Sequence, residues 1–92
     1  MVDMNSMNIN VKDAVAIAID YVRSLEDLIP AQQLRLEETI RQEDGHWLIT
    51  LSFRNPDTFD DRTYKYLEID PQTREVLAMR IRNPSIVDGG LF

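Results

Sequence analysis

The stretch 68–81, EIDPQTREVLAMRI, decides the fold. It reads as two strands folded about a tight turn over Asp70–Pro71–Gln72–Thr73–Arg74. Pairing Ile69 with Leu77 and Leu67 with Met79 places the apolar side chains of both strands, together with Ile81, on one core face. The same register sets Tyr64 opposite Arg82 and Tyr66 opposite Arg80 on the other face, where a guanidinium can lie against a ring. The turn is structural, and the Tyr and Arg face is a candidate for recognition.

Working outward, HWLITLSF carries Trp47, Ile49, Leu51 and Phe53 at alternate positions, which is the clearest strand in the chain. His46, Thr50 and Ser52 point the other way. Before it, EDGH is a turn in which Gly45 can take positive φ. Upstream again, Leu34, Leu36 and Ile40 alternate with Arg35, Glu37, Thr39 and Arg41 as a half-buried strand, with Glu38 as an inward polar position.

The period then changes from 2 to 3.6. Val11, Ala14, Val15, Ala18, Val22, Leu25 and Ile29 recur at steps of three and four, the mark of one buried helix face. Asn10 can cap this helix, Asp13 favours its first turn and Pro30 stops it. Ile17, Ile19, Tyr21 and Leu28 widen the apolar surface, so a sheet, a tail or a second copy is expected to cover more than one side. One helix followed by four antiparallel strands in meander order gives a two-layer α+β domain over residues 11–82. An N-terminal segment, 1–10, precedes it and a tail, 83–92, follows.

Composition supports a folded chain: of 92 residues, 43% are hydrophobic and 28% charged, which excludes wholesale disorder and collagen-like or coiled-coil repeats. A net charge of −6 repels a phosphate backbone on average, so nucleic acid is not an expected partner. Without cysteine there are no disulfides, thiolate metal sites or thiol catalysis. The start, MVDMNSMNIN, lacks a basic n-region and an apolar h-region, and no apolar run has the ~20 residues that span a bilayer. A cytoplasmic protein without membrane attachment is expected.

The pattern DAVAIAIDYV, DGHWLITLSF and YKYLEIDPQTREVLAM resembles a PepSY-type domain. In that family a helix beginning around an alanine-rich AxxIA segment precedes a curled antiparallel sheet that ends in a YxVxID..TGeV hairpin. The resemblance runs from about Val11 to Arg82. Ala14, Ile17 and Ala18 match the helix signature, Asp70 and Thr73 the turn, and Glu75 and Val76 the strand restart. Arg74 stands where the family usually has glycine, so the turn either carries an arginine at positive φ, at about 1 kcal/mol, or takes another geometry. The resemblance implies a wider cystatin-like fold and a non-enzymatic role in binding, often inhibiting or regulating, a peptidase. A second resemblance, of the helix and LEETIRQEDGHWLI, is to small immunity proteins of the YrhB-like type, which neutralise a toxin.

Catalytic and metal constellations are sparse. His46 is the single histidine, which excludes a two-histidine metal site and, placed beside a turn, reads as a surface residue. Asp57, Asp60 and Asp61 share a loop without EF-hand spacing. Alternation sends Glu37 and Glu38 to opposite faces, against an acid and base pair. VDGGLF matches no phosphate loop, and no cofactor is expected. A cystatin-like enzyme would instead need a pocket between helix and sheet, lined by Glu38 and Tyr21.

Binding surfaces are better represented. Tyr64, Tyr66, Arg80, Arg82 and Arg54, with Arg35, Arg41 and Thr50, form a mixed aromatic and basic face of the kind enriched at protein interfaces. It can serve an acidic segment of a protein partner or close a homodimer. Ile86, Val87, Leu91 and Phe92 make the tail apolar, so that it either packs back on the domain or docks into another molecule.

Overall fold

The structure is a computed structural model that describes residues 8–57 and 62–81. A helix, α1 (Val11–Ser24), is followed by four strands: β1 (Gln32–Arg41), β2 (Trp47–Arg54), β3 (Thr63–Ile69) and β4 (Val76–Ile81). The strands form one antiparallel sheet in the order β1-β2-β3-β4, the expected meander, and α1 packs on one of its faces.

The start of α1 follows from side-chain chemistry, and its end from backbone turns. Asn10 Oδ1 accepts from the Asp13 backbone N–H at 2.9 Å, and Asp13 reaches back to the Asn10 N–H, a reciprocal capping box. The expected run to Ile29 is too long. Regular helix ends at Ser24, and Leu25–Ile29 continue as turns, with the Leu28 and Ile29 N–H groups both donating to the Leu25 carbonyl.

Ala14, Ala18 and Val22 are the buried helix positions, and the two alanines let the helix lie close against the sheet. Beneath them lie Ile49, Leu51 and Phe53 of β2 and Leu67 and Ile69 of β3, with Ile9 closing one end. The alternation read in HWLITLSF therefore holds, and β2, flanked by β1 and β3, supplies most of the floor.

Departures from expectation come from irregular pairing. On β1, Leu36 faces Leu51 but Glu38 faces Thr50, so Glu37 is an extra residue that reverses the phase of everything after it. Glu38 is consequently not an inward position: it shares a row with Thr50 on the face away from α1. Ile40 follows it there, opposite Leu48 and 42% exposed, while Thr39 takes the helix side opposite Ile49. Arg41 also belongs to the helix side, where its guanidinium lies 5.5 Å from the Trp47 ring centroid.

At the last hairpin, Leu67 pairs with Met79 and Tyr66 with Arg80 as the sequence implies. A register shift between Glu68 and Ile69 then brings Val76, not Leu77, opposite Ile69, and Leu77 is 45% exposed. Ile81 pairs with Lys65 and is 71% exposed, so it is outside the core. The turn closes with Arg74 at φ 67°, its N–H donating to the Asp70 carbonyl at 2.9 Å, while Asp70 Oδ1 accepts from the Gln72 and Thr73 N–H groups. Of the two geometries open to this turn, the arginine takes the left-handed one.

Candidate functional site

The sheet face turned away from α1 carries the polar and aromatic side chains. Register aligns Glu38, Thr50, Tyr66 and Arg80 in one row across all four strands, acid at one edge and base at the other. The neighbouring row joins Arg35, Ser52 and Tyr64. Thr50 and Ser52 are nonetheless buried, at 3% and 0% exposure.

What covers Ser52 is a connected polar bridge. Its hydroxyl donates to Glu37 Oε2 at 2.6 Å and accepts from Arg62 Nε at 2.9 Å. Arg62 Nη2 also donates to the carbonyls of Ser52 and Gln33, the latter at φ 53° beside a second register shift. Arg35 adds an ion pair to Glu37 at 3.4 Å. The Ser52 hydroxyl, with the nearby guanidinium groups, holds the Glu37 carboxyl below its ordinary range. The extra residue on β1 thus places Glu37 over Ser52, on the same side as Glu38, correcting the expectation that alternation separates them.

Beyond the Leu48 end of this face, the β1–β2 turn meets the β3–β4 turn. Gly45, at φ 92°, folds the chain so that Asp44 Oδ1 accepts from the His46 N–H at 2.9 Å. The His46 ring then faces three carboxylates: Nδ1 is 2.7 Å from Glu68 Oε2 and 3.6 Å from Asp44 Oδ2, and Nε2 is 4.0 Å from Asp70 Oδ2. The Glu68 hydrogen bond, reinforced by the charges of Asp44, Glu68 and Asp70, raises the imidazole above its ordinary value. The backbone N–H groups of Gln72 and Thr73, aided by His46, lower Asp70.

His46 is therefore not a simple surface turn residue; it is half-buried and bonded to another strand. The signal was present in the sequence: a DGH turn followed by inward Trp47, set against inward Ile69 flanked by Glu68 and Asp70. Aligning Trp47 with Ile69, as the structure does, brings the turn histidine to both acids.

Of the anticipated face residues, Tyr64 and Tyr66 are half-buried, whereas Arg80 and Arg54 are exposed. Arg54 sits at the end of β2 opposite Gln32. The guanidinium-over-ring contact among the described residues is Arg41 on Trp47; Tyr66 and Arg80 are related by register. Arg82, Ile86, Val87, Leu91 and Phe92 lie outside the described residues, as do Asp60 and Asp61 of the acidic loop. Glu38 and Tyr21 do not meet, since Glu38 belongs to the face away from α1. No described helix is long and apolar enough to cross a membrane. Compared with known proteins, the chain matches no family model, no curated protein and no solved structure.

Proposed function

We propose that this chain is a non-catalytic, PepSY-like protein-binding domain that regulates, inhibits or adapts a protein partner through the sheet face opposite its helix. The observation that carries this reading is the division of chemistry between the two faces. The helix side is filled by Ala14, Ala18, Ile49, Leu51, Phe53, Leu67 and Ile69, whereas the row Glu38, Thr50, Tyr66 and Arg80 lies on the other. Interior apolar packing supports a binding role over turnover, because an enzyme pocket needs convergent polar groups within it. Tyr64 and Tyr66, half-buried on the sheet, have few rotamers to lose when a partner covers them. Exposed Arg54 and Arg80 favour an acidic segment, although the chain as a whole carries a net charge of −6.

The test is a photo-crosslinking residue at position 78, opposite Glu68 on that face, compared with one at Asp20 on the helix, in native lysate. A partner crosslinked from position 78 alone, and lost when Tyr66→Ala and Arg80→Ala are combined with an unchanged circular dichroism spectrum, supports the face. Capture that is unaltered by the double substitution rejects it. Crosslinks to a second copy of the chain replace the partner with a homodimer.

A further inference from the structure

We propose that Asp44, His46 and Glu68 bind one divalent transition-metal ion of the zinc type at the junction of the β1–β2 and β3–β4 turns. This goes beyond the binding role of the sheet face and rests on separate residues.

The argument is geometric. Three donor atoms, Asp44 Oδ2, His46 Nδ1 and Glu68 Oε2, all lie within 4.8 Å of one another. Zinc binds imidazole nitrogen and carboxylate oxygen at roughly 2.0–2.2 Å, so tetrahedral neighbours stand about 3.3 Å apart. The 2.7 Å and 3.6 Å separations from Nδ1 bracket that spacing. An ion enters by displacing the proton shared between His46 and Glu68.

Ordinary turn bonds of the two aspartates fix where their remaining oxygens point. Asp44 commits Oδ1 to the His46 N–H and leaves Oδ2 toward the ring. Asp70 commits Oδ1 to the Gln72 and Thr73 N–H groups and leaves Oδ2 on the Nε2 side. When Nδ1 is a ligand the ring hydrogen resides on Nε2, and a carboxylate beyond that nitrogen fixes the tautomer and the ring plane. Asp70 lies on that side at 4.0 Å and is placed to close on Nε2 when the ring turns to the ion.

Three carboxylates around a single imidazole leave a net charge of about −2 even when the ring is protonated, and a dication on the neutral ring reduces it to about −1. Imidazole with carboxylates suits zinc and its neighbours better than calcium, which takes six to eight oxygens. The Asp44 side chain, 59% exposed, leaves an entrance from solvent and room for water in the fourth position.

The experiment titrates Zn²⁺ into the full chain at neutral pH by calorimetry, with Ca²⁺ in parallel, and follows the imidazole nitrogens by long-range ¹H–¹⁵N spectra. One Zn²⁺ per chain is expected at micromolar concentrations, with Nδ1 shifting as the ligand and Nε2 protonated, and with weaker Ca²⁺ binding. His46→Gln and Glu68→Gln should each weaken binding by about tenfold or more, and Asp70→Asn by about tenfold with Nδ1 still ligated. Glu43→Gln should change nothing. No saturable Zn²⁺ binding, equal affinity after His46→Gln, or an imidazole that does not shift through Nδ1 overturns the site. The nitrogen spectra of the unsubstituted chain decide the matter even where a variant fails to fold.

Discussion

The hydroxyl of Ser52 on β2 donates to Glu37 Oε2 on β1 at 2.6 Å, linking a buried strand position to a residue that the regular alternation of β1 does not accommodate. Because that hydroxyl and nearby Arg35 and Arg62 favour the ionised carboxylate, the folded pKa lies below the ordinary 4.5. A depressed folded pKa contributes stability that is present above the unfolded value and lost as pH falls through the folded one.

The Glu37 carboxyl, followed by ¹³C chemical shift, should therefore titrate below 4.5, and Ser52→Ala should move its midpoint back toward that value. In urea unfolding, the stability difference between the original chain and Ser52→Ala should narrow as the pH drops below 4.5. A midpoint that ignores the substitution would remove Ser52 as the principal cause.

That bridge also shows where sequence reading stops. The strands themselves were legible: period-2 patterning in β2, Gly45 in the first turn, and Asp70 with Thr73 in the last, all placed by local chemistry. Extra residues on a strand are another matter. Glu37 carries no local mark such as glycine, and its displacement is set by pairing with β2, so simple alternation puts Glu38, Ile40 and Arg41 each on the wrong face. His46 was misread for a related reason, since its partner Glu68 lies 22 positions away and becomes a neighbour only through sheet register.

Packing beneath α1 predicts a sharp contrast between two large apolar residues. Phe53, fully buried in the core, should lose about 3–5 kcal/mol on replacement by alanine. Leu28, 79% exposed beyond the helix, should change by no more than about 0.5 kcal/mol. Denaturant midpoints at constant slope measure both. Equal effects would mean that Leu28 is covered by something outside the described residues, or that the core is centred elsewhere.

Arg74 supplies the remaining prediction. At φ 67° its Cβ crowds the following carbonyl, at a cost of roughly 1–2 kcal/mol, while its N–H donates to Asp70 and helps close the turn. Glycine removes the crowding but adds about 0.5–1 kcal/mol of chain entropy to the unfolded state. Arg74→Gly should therefore raise stability by about 0.5–1 kcal/mol, and Arg74→Ala, which keeps a Cβ, should not. The alanine variant separates backbone relief from loss of the arginine side chain. Equal midpoints for glycine and alanine, read by urea denaturation, would show that the left-handed conformation carries no strain at this turn.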